Sequence, residues 1–206
     1  MSSRSRIDFK TFLRVRDLRN IRRFNKRILH NNDTVASHSY YVTMLSLMIA
    51  ERYNEITHSE EIDTNLCMIN SLFHDAEECV LGDVITTTKY SNGSMKRSYD
   101  ELKYEVFKDV MGRNYFRTLI AAMESKGRFS KELVICTLAD KIEAQLTCLE
   151  EYVLYSNQQF RQIIDKYKLL INNIVNEDKV LHKIYHEILD EIAKSYLNGK
   201  YDLNEG

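Results

Sequence analysis

Two histidines and two aspartates stand where packing alone would not put them. His38 precedes the apolar run Tyr40–Ala50, His74-Asp75 ends the run Leu66–Phe73, and Asp140 ends the run Leu133–Ala139. A carboxylate set against buried chain is costly unless it is paired or holds a cation. Two nitrogen and two oxygen donors from three separate segments form a mixed set suited to a first-row divalent ion. Glu78 lies three residues after Asp75 and four after His74, so on a continuing helix it faces the same way. Its neighbour Glu77 then points elsewhere and is expected to be solvated. Asp83, just past Gly82, is near enough to meet a ligand in the same cleft, and Arg22-Arg23 supplies cations upstream. A metal ion, a nearby non-ligand carboxylate and an arginine pair together fit phosphate-ester hydrolysis: the ion yields hydroxide from bound water and the cations hold the charged ester. Singly, each residue has a plainer reading, His38 as a capping or satisfied histidine and Asp140 as a salt-bridge partner of Lys141 or an arginine. The constellation is stronger than its parts because every member adjoins an apolar run.

The elements that must carry these residues read as helices. A basic amphipathic segment, Phe9–Arg27, is followed by the polar break His30-Asn31-Asn32-Asp33, whose Asn and Asp, with Thr34, suit the N-cap of a helix over Thr34–Tyr53. A third helix is expected from near Ser59 through Phe73, with Gly82 as a stop. Residues 83–95, with three threonines, Asn and Gly, read as a loop. Helices resume over about 96–111, 114–125 and 130–155, and two amphipathic ones, near 157–175 and 178–197, are expected to be packing or oligomer surface. The three apolar runs are apolar almost all round, which predicts that they are central and buried. His182 and His186 are spaced i, i+4 with Glu187 adjacent, but they flank the apolar stripe and lack an HExxH pattern. A solvated or intersubunit role is expected for them, and no specific one for His30 or His58.

Composition agrees with an all-α, single-domain chain. Proline is absent and only 6 of 206 residues are glycine, too few for a sheet built on tight turns, while 44% apolar content is enough for one sizeable core. Basic and acidic residues number 29 and 30, which argues against a nucleic-acid coat or a membrane-surface binder. Residues 1–30 nevertheless carry ten Lys/Arg against two Asp; most of this arm reads as a solvated helix face. Four scattered cysteines with no CxxC pair are expected to be buried, reduced thiols. No secretory signal is visible, and the longest apolar stretch, Val42–Ala50, is about half of a bilayer span. A cytoplasmic protein without a membrane or a stable nucleic-acid partner is expected.

The order His38 … His74-Asp75 … Asp140 resembles that of the HD-domain metal-dependent phosphohydrolases. The closer resemblance is to the YfbR-like 5′-deoxynucleotidases, through Ala36-Ser37-His38-Ser39, Leu72-Phe73-His74-Asp75-Ala76-Glu77-Glu78, Leu81-Gly82-Asp83, Thr88-Lys89-Tyr90 and Leu138-Ala139-Asp140-Lys141. The likeness covers about residues 20–155 of a single HD domain over 1–206, with 156–206 forming the C-terminal helices. It implies a helical bundle around a buried metal site, with His38, His74, Asp75 and Asp140 as ligands of one divalent ion, cobalt, manganese or zinc. It also implies Glu78 as the catalytic glutamate beside the attacking water, and Asp83 as the aspartate of the substrate pocket. The family has an Arg-Trp pair ahead of the first metal histidine, for the phosphate and the deoxyribose; here it reads Arg23-Phe24, a smaller ring without an N–H. Lys89 is expected to assist at the phosphate. The implied reaction removes the 5′-phosphate from a deoxynucleoside monophosphate in a homo-oligomer, dimer or hexamer. One alternative is a dNTP triphosphohydrolase of the kind seen in small phage proteins acting on dATP, with Arg22, Arg27, Lys96 and Arg97 as the extra cations. A non-catalytic helical module binding through its basic arm is another.

Overall fold

The computed structural model describes residues 9–84, 93–111 and 130–197, and the described chain is helical. Its helices are α1 (Phe9–Arg16), α2 (Val35–Thr57), α3 (Thr64–Phe73), α4 (Glu78–Leu81), α5 (Gly93–Met111), α6 (Lys131–Leu154), α7 (Arg161–Val175) and α8 (Lys179–Leu197). Local chemistry sets several of their ends. Thr34 and Ser37 form a reciprocal capping box at the start of α2, Asp63 accepts from Leu66 N (3.0 Å) at the start of α3, and Ser130 accepts from Leu133 N (3.3 Å) at the start of α6. Each cap satisfies an N–H that the first helical turn leaves without a partner.

The main core lies between α2 and α6. Val42, Ile49, Ala50 and Tyr53 meet Ile135, Leu138, Ala139 and Ile142, and the C-terminal helices close the cluster through Ile171, Val175, Leu181, Ile184 and Tyr185. Each fully buried large aliphatic contributes about 1.5–3 kcal/mol. The two last helices therefore bury part of their apolar stripe inside the subunit. A smaller cluster of Ala76, Val110 and Met111, flanked by Val15, Phe73 and Cys79, seats α5 and α1 against the turn that follows α3.

Three expectations change. The basic segment 9–27 is not one helix: α1 is followed by a 3-10 turn at Asp17–Asn20, after which residues 21–23 run beside 33–35, with Arg23 N bonded to Asp33 O (3.2 Å) and Val35 N to Ile21 O (2.9 Å). Nor are the apolar runs buried on every side. Tyr40, Tyr41, Met44 and Met48 of α2 are exposed, as are Ile69 and Leu72 of α3; all-round apolarity does not say which sides the rest of the chain will cover. Residues 93–95, read as loop, begin α5, while the helix expected over 114–125 and most of the loop lie outside the described residues. The four thiols are free, and Cys67, Cys136 and Cys148 are buried. Among the described residues no helix is long and apolar enough to cross a membrane.

Candidate functional site

His38 lies one turn into α2 and is 1% exposed. Its Nδ1 is hydrogen-bonded to the Glu143 carboxylate on α6, and its Nε2 lies 3.2 Å from Asp140 Oδ1 and 3.9 Å from Asp75 Oδ2. His74 follows the last residue of α3. Its Nδ1 donates to the Ser71 carbonyl at 2.7 Å, which fixes the tautomer because a carbonyl can only accept. In the neutral ring the lone pair then lies on Nε2, which is buried, 3.0 Å from Asp75 Oδ2 and without an aligned hydrogen bond. The two rings meet edge to face, 5.1 Å apart. Both histidines thus have one nitrogen tied to an oxygen and the other turned toward Asp75 and Asp140, the arrangement by which an outer carboxylate or carbonyl orients a metal-ligating imidazole. One candidate ligand atom from each of His38, His74 and Asp140 lies within 4.8 Å of the other two, close enough to share one metal ion. Buried nitrogen and oxygen donors with a preset tautomer fit a divalent ion.

Electrostatics keep the carboxylates ionised. Burial works against the charge of Asp140, but Lys141 and the two histidines outweigh it and hold its pKa well below the usual range. Asp75 is held low against burial in the same way, chiefly by His74 and also by Lys103 and His38. Burial also opposes the charge on His74, and there Asp75 and Asp140 prevail, raising its pKa to about 9. The sign of the consequence is fixed: in the metal-free protein His74 holds a proton below that value, and the proton competes for Nε2. Affinity for Mn2+ is therefore expected to rise with pH, by up to about tenfold per unit, and to level off near pH 9. Titration calorimetry across that range checks this; affinity independent of pH would mean that His74 Nε2 is not displaced of a proton on binding.

The structure brings the other expected residues around this centre in unequal ways. α3 stops at Phe73, and residues 74–77 turn before α4, so Glu78 arrives through a break rather than along a continuing helix; it is buried, and its N–H bonds Asp75 O at 3.0 Å. Glu77, expected in solvent, is 0% exposed and lies 2.7 Å from Lys103 Nζ of α5. The same turn that redirects the chain puts this carboxylate inward. Asp83 accepts from Phe24 N (3.0 Å), and Asn25 Nδ2 donates to the Asp83 carbonyl (2.7 Å), which joins the end of α4 to the 21–27 segment. Phe24 adopts a left-handed backbone (φ 51°) and packs edge-on against Phe160, 5.5 Å between centroids. Arg23 is buried, its Nη1 2.9 Å from Asp33 and 3.0 Å from Glu143, and those two carboxylates outweigh burial to keep it charged. Lys89 lies outside the described residues.

One residue of the site, Glu143, stands outside the sequence expectations. Glu143 joins Arg23 to His38; its place one helical turn after Asp140 was the available signal. On α7, burial raises the pKa of Tyr167, and the Asp140 carboxylate acts the same way. By contrast, His182 and His186 are exposed, and Glu187 is taken by Arg52 at 2.8 and 2.9 Å. Replacing both histidines by alanine is expected to leave turnover within about threefold of the parent, in the range of a surface change. A loss as large as that of His74→Ala would mean that the catalytic centre lies elsewhere or is completed across a subunit interface.

The helical fold that carries this site is that of an HD-domain protein. An HD-domain phosphohydrolase from Listeria innocua superposes with a TM-score of 0.74 at 22% identity, over 90% of this chain and 89% of that one. A conserved hypothetical protein from Pyrococcus furiosus gives 0.69 at 21%, over 89% of this chain and 99% of that one. At such identities the likeness is one of fold. The chain belongs to the family described as 5′-deoxynucleotidase YfbR-like, whose profile matches residues 10–194. Within the curated proteins, 5′-deoxynucleotidase YfbR of Salmonella typhi is 27% identical over 132 residues, and that of Salmonella newport 26% over 129. These matches span 63% and 61% of this chain and 65% and 64% of the relatives, just under two thirds of their length.

Proposed function

We propose that the protein hydrolyses the 5′-phosphate ester of 2′-deoxynucleoside monophosphates, using one divalent transition ion held by His38, His74, Asp75 and Asp140. The observation that carries the reading is the convergence of two oriented imidazole Nε2 atoms on Asp75 and Asp140, in a chain of this family. Cobalt, manganese or zinc suits the mixed nitrogen and oxygen donors. Such an ion would supply a water of lowered pKa and positive charge beside the phosphate. In the reaction the water oxygen bonds phosphorus, the bond from phosphorus to O5′ breaks, and a proton reaches O5′. Glu78, buried beside Asp75, is the group to move that proton. Arg23 is the cation on the phosphate side, and Lys89 joins it.

Asp83 and Phe24 form the sugar side. Through its bond to Phe24 N, Asp83 holds the left-handed residue whose ring makes an apolar wall braced by Phe160. A 2′-hydroxyl buried there without a partner costs about 1–3 kcal/mol, roughly 5- to 150-fold in rate. Phe24→Ala is accordingly expected to lower the deoxy-over-ribo ratio of kcat/KM, and Phe24→Trp to raise it where the larger ring fits. An unchanged ratio in an active Phe24→Ala enzyme would remove Phe24 from the sugar pocket.

Product analysis with each dNMP and dNTP across several divalent metals tests the reaction itself. Inorganic phosphate and nucleoside from a dNMP are expected; triphosphate released from a dNTP would instead mark a triphosphohydrolase. The proposal includes a cytoplasmic location and a homo-oligomer, dimer or hexamer.

A further inference from the structure

Asp75 belongs to two clusters at once. On one side it faces His38 and His74; on the other it forms, with Glu77 and Glu78, a group of three carboxylates whose oxygens lie within 4.8 Å of one another. Three such groups, largely withdrawn from water, repel one another unless a cation sits among them. The chain supplies one. Lys103, on α5, reaches in from a separate helix to lie 2.7 Å from Glu77 Oε1 and 3.4 Å from Asp75 Oδ1. Glu77 is 0% exposed, and neither of its oxygens has an aligned hydrogen bond, so this ammonium is its counter-charge among the described residues. The packing of Val106, Phe107, Val110 and Met111 against Ala76 and Phe73 fixes the distance between α5 and the 74–77 turn. The ammonium is therefore presented by a seated helix rather than by a free surface chain.

We propose that Lys103 is a positioning residue whose tethered ammonium occupies the cation position made by Asp75, Glu77 and Glu78, which holds Asp75 toward the two histidines and limits the centre to a single divalent ion. A carboxylate shared between two cation positions is the usual bridge of a two-metal site, and here one of those positions is filled by the protein itself. This rests on the metal-centre reading above.

The test is metal stoichiometry, by elemental analysis after equilibration with Mn2+ and removal of free ion, together with the electron paramagnetic resonance spectrum. Wild type is expected to hold about one ion per chain with an isolated-ion spectrum. Lys103→Met is expected to hold about two, with the signature of an exchange-coupled pair, and to bind the second at least about tenfold more tightly than wild type. Lys103→Arg keeps the charge and is expected to stay at one. The double variant Lys103→Met/Glu77→Gln removes the carboxylate that the ammonium balanced, and is expected to return to one. Lys103→Ala, which leaves room for water, provides the same reading if the methionine variant does not fold. A single ion in Lys103→Met or Lys103→Ala, or two ions in wild type or the double variant, would overturn the inference. No ion in wild type would instead overturn the metal-centre reading.

Discussion

Asp140→Ala is expected to leave a folded protein that no longer retains a divalent ion and has lost on the order of 10^3-fold or more in kcat/KM, about 4 kcal/mol of transition-state stabilisation. Asp140 sits at the end of the apolar stretch of α6, its Oδ1 3.2 Å from His38 Nε2, and it faces His74 across the same space. Removing it leaves the imidazoles with Asp75 as the sole anionic donor of the proposed ligand set. Lys141, which pairs with Asp140, is part-exposed and can turn to water, so the change does not strand a buried cation. Glu78→Gln is the contrasting case. It should keep its ion, because Glu78 groups with Asp75 and Glu77 rather than with the histidines, yet lose turnover by about 10^2- to 10^4-fold, the range for a positioned acid or base. Elemental analysis beside kinetics reads both. If Glu78→Gln lost its ion as completely as Asp140→Ala, the division between ligand and proton carrier would fail.

The second large effect belongs to Glu143, which touches no substrate in the proposed reading. Its Oε2 takes both the His38 Nδ1 proton and the Arg23 guanidinium, and those interactions hold its pKa down against burial. Glu143→Ala is expected to weaken metal affinity by about 10- to 100-fold, because His38 loses the partner that orients its Nε2. It should also destabilise the protein by about 3–5 kcal/mol, because Arg23 keeps its charge in a buried place with Asp33 as its remaining carboxylate. Adding Arg23→Met separates the two effects. The double variant should recover much of the stability, since no buried charge is left half-paired, but none of the metal affinity. Chemical denaturation and Mn2+ titration of the three variants check this; recovery of affinity in the double variant would mean that Glu143 acts only through the fold.

The unequal visibility of these residues has a physical origin. His38, His74, Asp75 and Asp140 were legible because each adjoins a long apolar run, and a polar side chain beside buried chain is an anomaly that local sequence exposes. The helices over 35–57, 131–154, 161–175 and 179–197 were legible for a related reason: their apolar spacing, helped at the start of the first by the Thr34 cap, is a local property. The resemblance carried in the same motifs named the family, and the profile match bears that out.

What only the tertiary structure decided concerns partners distant in sequence. Glu77 reads as a surface residue until the chain breaks at residues 74–77 and α5 brings Lys103 over it. Arg23 reads as a free cation until residues 21–23 run beside 33–35 and Asp33 and Glu143 close on its Nη1. The exposed face of Tyr40, Tyr41, Met44 and Met48 reads as core because apolarity all round a helix does not say which sides its neighbours reach. In each case the deciding term is a charge or a surface supplied from another helix. Periodicity along one segment carries no record of it.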